Sequence, residues 1–415
     1  MRVWLIKDSE VLPLDDGNQR LARMALIADE LSNVGDEVIW WTSTFSHFAK
    51  KKREYKDGNV KIKNNYSIFM LDSQGYEKNV SVKRLLHNWR IARKFYKFAQ
   101  KEKKPDIILV DLPTISFVNK AIKYGHKYSV PVIVDVRDLN PDVFPDAFTG
   151  IKKNMVKMGI VPLKWILRKS MKRATAIVGT TQPYLDFGLK YSKRDQSELD
   201  RVFYVAYPEN KSGLDIKSIN KWKSYNIENK FVVCFFGQFG NMVDIETVLG
   251  AARICKKDNS QAVFVLCGNG EKLEQYRNEA KDLDNVIFPG WVNSDEIRAL
   301  GAISRVGLMA YKPSKNYELQ MPNKFSEYLS MGLIVFVQPD GIMKGVVDSN
   351  DCGYCYKTSE DLAKLIDLIA SDSLKNQKMS ENARKLYEKQ FCAERVYKEF
   401  ADYIHEIGNE FQKKR

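Results

Sequence analysis

Short apolar runs alternate along the whole chain with stretches in which apolar residues recur every three or four positions. The short runs predict strands, which are RVWLI, EVIWWTS, DIILVD, PVIVDV, TAIVGT and RVFYVAY in the first half and FVVCFF, AVFVLCG, NVIF, VGLMA and LIVFV in the second. The intervening stretches predict amphipathic helices, such as residues 18–34, 245–257, 271–281 and 360–371. Continuous apolar strands separated by such helices are typical of parallel sheets that helices cover on both faces. The pattern therefore predicts an α/β fold.

The strands and helices form two series, separated by a polar, lysine-rich segment near residues 208–228. A chain of 415 residues is long enough for two domains, each with its own core. We predict two doubly wound, Rossmann-like domains that face each other across a cleft, comprising residues 1–210 and 211–390. Ligands of such domains bind outside the carboxyl ends of the strands, so a pocket is expected between the two domains.

Composition places the chain among ordinary globular proteins. No apolar run approaches the roughly 18 residues that a membrane-spanning helix needs, and the opening MRVWLIKDSE reads as a first strand rather than a secretory signal. The six cysteines all follow residue 230 and are too scattered for a disulfide framework. A reduced, cytoplasmic protein is the expectation.

The basic charge is concentrated in the first half of the chain. Residues 50–104 contain 17 Lys and Arg against 5 Asp and Glu, and residues 151–173 contain 8 basic residues and no acidic residue. The net charge of the whole chain is +14. Since charge localised in this way indicates a localised anionic partner, we expect one on the first domain.

Two loops in the first half contain candidate functional residues. After the first strand, Gly17 and Asn18 precede a predicted helix whose free N–H groups suit an anion, and Arg20 adds charge nearby. A simple glycine loop with a helix cap explains Asn18 about as well. After the strand PVIVDV, Asp138 is the best candidate for a polar group at a reacting centre, and a structural Arg137–Asp138 pair is the alternative.

Three further strand ends in the second half carry glycines or charges. Gly237 follows one strand, and Gly268 and Gly270 follow the next, although the third glycine of a dinucleotide-binding fingerprint is missing. In MPNKFSEYLSMG, Lys324 lies beside the open N–H groups of a helix start, where it would bind a diphosphate. Glu327 lies about one turn further on, and a carboxylate can hold two adjacent ribose hydroxyls. The alternative is a lysine and a glutamate on a solvated helix face.

In combination, these motifs resemble the family 4 glycosyltransferases, which have the GT-B fold. The resemblance covers essentially the whole chain and is strongest in the series FFGQFG…IETVLGAA, FVLCGNGEKLEQY, VIFPGWVNSDEIRAL, VGLMAYKPS, MPNKFSEYLSMGLIVFV and SNDCGYCY. In the first half, GNQRLARMALIADELSNVGDEVIWWTS and VDVRDLNPD resemble the acceptor domain of relatives that build bacterial surface polysaccharides such as O-antigen (a part of lipopolysaccharide) or capsule. By analogy, the amphipathic segment 391–415 is expected to pack back onto the first domain.

The resemblance implies retaining transfer of a sugar from a nucleoside diphosphate, usually UDP, with no cofactor and no required metal. Asp138 would lie by the transferred sugar, and Glu318 would be a second catalytic carboxylate. Arg20 would face the acceptor or a phosphate. The positions implied for donor binding are Gly17, Gly237, Gln238, Gly268, Gly270, Trp291, Val292, Asn323, Lys324 and Glu327.

Two departures from the family pattern bear on activity. The family's paired glutamates are eight positions apart, but Leu319 occupies the position eight before Glu327, and Glu318 is one place off. The family's basic pair after the first donor-domain strand is absent, with Gln238 at the arginine position. These departures keep open a non-catalytic scaffolding or binding subunit, and a UDP-sugar epimerase of the same fold is a second alternative.

The two basic segments, residues 50–104 and 151–173, suggest that the anionic partner is a membrane surface. On a helix over 163–173, the residues Leu163, Ile166, Leu167, Ser170 and Met171 form one apolar face, and the polar faces and a flanking tryptophan comprise Lys164, Trp165, Arg168, Lys169, Lys172 and Arg173. Such a helix fits peripheral attachment to an anionic leaflet. Residues 82–96 show a similar face, and packing of both apolar stripes onto the sheet is the alternative. We expect a peripheral protein on the inner face of the cell membrane, a polyprenyl-diphosphate-linked glycan as acceptor, and no nucleic-acid partner.

Overall fold

The computed structural model describes residues 1–15, 21–209 and 213–413. These residues form two compact units: the first comprises residues 1–204 and 395–415, and the second comprises residues 205–394. A mainly parallel sheet lies at the centre of each unit. The predicted pair of Rossmann-like α/β domains is therefore confirmed.

The strands and helices of the first unit follow the predicted alternation. They are β1 Arg2–Ile6, α1 Arg23–Asn33, β2 Glu37–Ser43, β3 Phe45–Ser46, β4 Lys51–Lys52, β5 Gly58–Lys63, β6 Tyr66–Leu71, α2 Val82–Ala99, β7 Ile107–Leu112, α3 Ile115–Tyr128, β8 Val132–Val136, α4 Gly150–Gly159, α5 Val161–Met171, β9 Ala176–Gly179, α6 Gln182–Ser192 and β10 Arg201–Val202. The central strands are buried on both faces, as their continuous apolar sequences predict.

The sheet of the first unit has the strand order β10-β9-β8-β7-β1-β2-β6-β5. All neighbours are parallel except β5, which runs antiparallel to β6 at the edge. The order reverses direction between β1 and β7, because the chain first adds β2 and β6 on one side and later adds β7, β8 and β9 on the other. This switch point is where a doubly wound sheet leaves room for a ligand.

The C-terminal helix, α16 (Ala393–Lys413), packs within the first unit from residue 395 onward. Phe400 stacks on Phe203 with ring centroids 4.3 Å apart, and His405 Nε2 lies 2.6 Å from Asp36 Oδ2. Tyr403 donates a hydrogen bond to the carbonyl of Leu199. None of the described helices is long and apolar enough to cross a membrane.

The second unit contains the remaining elements. They are α7 Ile216–Lys223, β11 Phe231–Phe236, α8 Ile245–Lys257, β12 Ala262–Cys267, α9 Leu273–Glu279, β13 Val286–Gly290, α10 Ser294–Ile303, β14 Ser304–Ala310, α11 Lys315–Leu319, α12 Asn323–Ser330, β15 Ile334–Gln338, α13 Ile342–Ser349, β16 Gly353–Cys355, α14 Ser359–Ser371 and α15 Ser373–Leu386. Its parallel sheet has the order β13-β12-β11-β14-β15-β16. This is the doubly wound order 3-2-1-4-5-6, with its switch point between β11 and β14.

The sequence-based element predictions fail mainly at the edges of the two sheets. The predicted strand RVFYVAY is a strand only at Arg201–Val202, and the Phe203 ring after it stacks on Phe400 of α16. Strands β5 and β6 were not predicted; β5 alternates half-buried with exposed positions and carries two lysines, so it lacks a continuous apolar run. The helix predicted from residue 18 is observed from Arg23, and residues 18–20 lie outside the described residues.

Candidate functional site

Two glycine turns pack against each other at the carboxyl edge of the second sheet. The N–H of Gly237, after β11, donates to the carbonyl of Cys267 over 3.0 Å, and the N–H of Phe239 donates to that of Asn269 over 2.9 Å. Gly268 has φ of +140°, and a Cβ at this position would lie only 1.7 Å from the carbonyl oxygen of Gly237. The close approach of the two turns therefore requires glycine at 268.

Lys324 lies directly against the first of these turns. Its Nζ would be 2.6 Å from a Cβ placed on Gly237. It also lies 4.2 Å from the ring centroid of Phe235 and 4.9 Å from that of Tyr311. Burial lowers the pKa of Lys324 to about 7, although the nearby Glu327 carboxylate opposes this by favouring the charged form. The ammonium group therefore titrates near neutral pH.

Glu327 is only 5% exposed, although it is an acidic residue on a helix near the sheet edge. Helix α12 is held in place by Tyr328, whose hydroxyl donates to the carbonyl of Leu308 over 3.2 Å. The Tyr328 ring lies where a Cβ on Gly307 would be, 2.5 Å from its nearest atom. The helix therefore positions Glu327 and Lys324 rigidly on the sheet.

The other predicted residues of the second unit occupy neighbouring positions along the chain. Trp291 directly follows β13 and is 67% exposed, whereas Val292 is buried. Gln238 and Asn323 are exposed, Gly270 follows β12 with φ of +155°, and Glu318 is half-buried in the short helix α11. Thus the structure brings Gly237, Gly268 and Lys324 into contact and places Glu318 on a separate helix.

Two aromatic residues and two lysines at this edge were not singled out from the sequence. Phe235 and Tyr311 contact the Lys324 ammonium, but in the sequence Phe235 belongs to an apolar run that predicts a strand, and Tyr311 only follows another such run. Lys272 and Lys312 approach the Glu246 carboxylate, at 3.7 Å and 3.4 Å. Both lysines follow strand ends, and this position is the signal that could have identified them.

The switch point of the first unit carries buried charges. Lys7, after β1, pairs with Asp111 of β7, and Arg137, after β8, lies 3.0 Å from Glu10 and 3.6 Å from Asp111. Arg137 therefore pairs with two other carboxylates, and among the described ion pairs the Arg137–Asp138 pair left open by the sequence is not formed.

Asp138 is half-buried beyond the end of β8. Burial raises the pKa of its carboxyl group, and the positive charges of Lys7 and Arg84 oppose that rise. A carboxyl group with a raised pKa can hold or accept a proton more readily than a solvated one. Gly17 and Arg20, predicted from the same edge of the sheet, lie outside the described residues.

The residues of the apolar stripe predicted on 163–173 are buried or half-buried. Leu167, Ser170 and Met171 are buried, so the interpretation of this stripe as a membrane contact is wrong. Of the polar-face residues, Trp165 is 62% exposed with Lys169 Nζ 5.3 Å from its ring centroid. Lys164 pairs with Asp142 over 2.9 Å, whereas Arg168, Lys169, Lys172 and Arg173 are exposed.

The exposed apolar surface of this region comes instead from α4 and the start of α5. None of the residues of α4 is buried. Ile151, Met155, Met158, Val161 and Trp165 are all more than half exposed. Helix α2 shows the same feature at its N-terminal half, so its apolar stripe does not pack onto the sheet as the alternative proposed.

Comparison with known proteins agrees with this architecture. Residues 217–386, within the second unit, match the sequence profile of the family described as Glycosyl transferases group 1. A search of curated protein sequences finds no significant match. The solved structures that resemble the chain include HepE of Anabaena in complex with UDP and glucose, with 14% identity, a TM-score of 0.66 and coverage of 98% of this chain and 100% of that one.

Two further similar structures cover nearly the full length of both chains. Sucrose-phosphate synthase of Thermosynechococcus elongatus has 14% identity, a TM-score of 0.72 and 98% coverage of each chain. WaaG, a glycosyltransferase involved in lipopolysaccharide biosynthesis, has 11% identity, a TM-score of 0.63 and coverage of 97% of this chain and 99% of that one. Residues 217–386 thus match the glycosyl transferases group 1 profile, and the whole chain has the GT-B fold.

Substituting the two contacting glycines is expected to give opposite outcomes. In Gly237→Ala the new methyl group meets the flexible end of Lys324 at 2.6 Å and the edge of the Phe235 ring at 3.1 Å, so we expect only a small fall in the midpoint of thermal unfolding and UDP affinity lowered about fivefold. In Gly268→Ala the methyl group meets backbone at a positive φ, so we expect a loss of roughly 2–4 kcal/mol in the free energy of unfolding. Calorimetry and denaturant unfolding measure both effects, and equal destabilisation of the two variants would contradict this packing.

Proposed function

We propose that this protein is a retaining glycosyltransferase. Its donor would be a nucleoside-diphosphate sugar, most specifically a UDP-sugar, and its acceptor a lipid-linked glycan. The acceptor would be polyprenyl-diphosphate-linked, and the pathway would be the biosynthesis of a bacterial surface polysaccharide such as O-antigen or capsule. The fold, the group 1 family match and the crystallised complex of HepE with UDP support this proposal. The observation that carries it is the contact between Lys324 and the Gly237 turn at the switch point of the second sheet.

The chemistry of the site fits this role. As the sugar leaves, the diphosphate gains negative charge, and a positioned cation and free backbone N–H groups stabilise that charge. Lys324 supplies the cation beside Gly237, and Glu327 would hold the ribose. Asp138, whose pKa is raised by burial, would lie by the transferred sugar. No cofactor and no metal ion are required in this scheme.

Calorimetric titration of the protein with UDP, GDP and ADP in the presence of EDTA tests the donor assignment. Selective binding of UDP is the expected result, and screening UDP-sugars with lipid-linked acceptors would follow. Binding of none of the three nucleotides would favour a scaffolding subunit, for which Leu319 and Gln238 are the sequence argument. Turnover of a UDP-sugar without any acceptor would favour an epimerase.

We further propose that the exposed apolar residues of α4 and α5, with the surrounding lysines, attach the protein to the inner face of the cell membrane. Each basic residue near an anionic surface contributes about 1 kcal/mol. The double variant Lys157→Gln/Lys169→Gln should therefore bind vesicles containing anionic lipid with about 30-fold lower affinity.

Vesicle sedimentation measures this change, and Lys385→Gln/Lys389→Gln in the second unit is the matched control because both lysines are exposed. The control should sediment with anionic vesicles as the unmodified protein does. Equal losses in both variants would show non-specific charge attraction and would contradict a defined membrane face.

A further inference from the structure

A second cluster of cations, formed by Lys50 and Arg84, lies in the first unit. Lys50 Nζ donates to the side-chain oxygen of Asn79 over 2.5 Å, and Arg84 Nη1 donates to the backbone carbonyl of the same residue over 2.8 Å. Both cations also lie over the ring of Tyr76, at 4.9 Å and 5.4 Å from its centroid. One residue and one ring therefore hold the two positive charges as neighbours.

Neither cation has an acidic partner among the described residues. No described carboxylate lies within the ion-pair distance of 4.0 Å from Lys50 or Arg84. Lys83, next to Arg84 in the chain, shows the ordinary surface arrangement instead, with Glu77 at 3.2 Å. Two neighbouring cations that share only neutral acceptors repel each other, so an anion bound between them would be stabilised.

The histidine beside this cluster shows the effect of these charges. His47 Nδ1 lies 2.6 Å from the Tyr76 hydroxyl and 3.4 Å from Lys50 Nζ. Burial first, and then the charges of Lys50 and Arg84, lower the pKa of His47 to about 4. Since His47 is neutral at neutral pH, it can accept or donate a hydrogen bond without adding to the repulsion.

The surroundings of the cluster are apolar and exposed. Phe48 is 68% exposed, and Val80, just before α2, and Val82, Leu85 and Leu86 of α2 are 44–70% exposed. A soluble phosphate ion would gain nothing from these side chains, whereas an anion attached to a hydrocarbon chain would bury them. Two cations that have no acidic partner among the described residues, beside exposed apolar side chains, fit a phosphate carried on an apolar chain.

We propose that Lys50 and Arg84 bind the phosphate group of a lipid-linked acceptor, and that the exposed residues of α2 contact the first part of its hydrocarbon chain. This inference rests on the proposed function and names the part of the first unit that recognises the acceptor. The charge of Arg84 also acts on the Asp138 carboxyl group. The phosphate would thus lie near the residue that we place by the transferred sugar.

Calorimetry with geranyl phosphate, a soluble prenyl phosphate, tests the site without vesicles or transfer. We expect geranyl phosphate to bind, and inorganic phosphate and geraniol each to bind at least tenfold more weakly. In Lys50→Gln/Arg84→Gln the affinity for geranyl phosphate should fall about 100-fold or more, because two charge-assisted hydrogen bonds are lost. Lys83→Gln is the matched control and should bind as the unmodified protein does.

Binding of UDP by the same variants separates this inference from the proposed function. A double variant that loses geranyl phosphate binding but binds UDP as before supports the acceptor site. If neither the unmodified protein nor any variant binds UDP, only the proposed donor site is contradicted. In a titration followed by NMR, geranyl phosphate should raise the pKa of His47 above its value of about 4. Equal affinity of the double variant and the unmodified protein for geranyl phosphate, or equal affinity for inorganic phosphate and geranyl phosphate, would overturn the inference.

Discussion

Replacing Lys324 by methionine is expected to weaken UDP binding about 100-fold at pH 7, because a charge-assisted contact with a phosphate group contributes roughly 1.5–3 kcal/mol. Methionine keeps the unbranched apolar stem that lies against Phe235 and Tyr311 and removes only the charge. The fold should therefore be unchanged, with a near-native midpoint of thermal unfolding. Calorimetric titration with UDP measures the loss.

The pH dependence of UDP affinity provides the sharper test of Lys324. Its pKa in the folded protein is about 7 instead of the usual 10.5, and only the protonated form carries the charge that attracts a diphosphate. The affinity for UDP should thus change little just below pH 7 and fall by up to about tenfold per pH unit above it. Lys324→Arg should abolish this fall because arginine stays protonated.

The methionine variant should bind weakly at every pH between 7 and 9. A fall in affinity of the same steepness in Lys324→Met and in the unmodified protein would assign the titration to another group. In that case the contact between Lys324 and the Gly237 turn would have no role in donor binding.

Glu327→Ala is the second substitution with a large expected effect, again a loss of about 100-fold in UDP affinity. Glu327 is 5% exposed on a helix held rigidly by Tyr328, so its carboxylate is positioned to accept hydrogen bonds from two adjacent hydroxyls. Two such bonds to a charged group contribute about 3 kcal/mol or more together. Calorimetry with UDP measures the loss, and thermal unfolding checks that the variant is folded.

The direct effect of losing Glu327 must be distinguished from its effect on Lys324, because the Glu327 carboxylate raises the pKa of Lys324. Removing the carboxylate would lower the pKa of Lys324 further, so that less of Lys324 would be protonated at pH 7. Titrations at pH 6, where more of Lys324 is protonated, isolate the contribution of the carboxylate. Glu381→Ala, an exposed glutamate on another helix of the same unit, is the control. Unchanged UDP affinity in a folded Glu327→Ala variant would contradict the donor assignment of this helix.

The fold could be predicted from the sequence where strands are buried on both faces. Such strands must be continuously apolar, so RVWLI, EVIWWTS and FVVCFF coincide with β1, β2 and β11. The helix predicted at 245–257 has the observed bounds for a similar reason, since one face packs on the sheet and Asp244 caps its start. Strand β5 was missed because an edge strand with one solvated face carries lysines.

Which candidate residues lie at this edge of the second sheet could be predicted from the sequence, but their chemical state could not. Glycines and charges at strand ends identified Gly237, Gly268, Lys324 and Glu327, because the ends of parallel strands lie at one edge of the sheet. The lowered pKa of Lys324 depends on burial between Phe235 and Tyr311, which are 76 positions apart in the chain. Only the folded chain brings these rings together.

The apolar faces of the helices show most directly what could not be predicted from the sequence. The sequence by itself determined that α2 and α5 are amphipathic and basic, since that follows from residue spacing alone. Which apolar face is buried was decided by the tertiary structure: Leu167 and Met171 of α5 pack inside, whereas Val82 and Leu85 of α2 stay exposed. The physical reason is that burial depends on what the rest of the chain places against a helix, and helical periodicity carries no information about that neighbour.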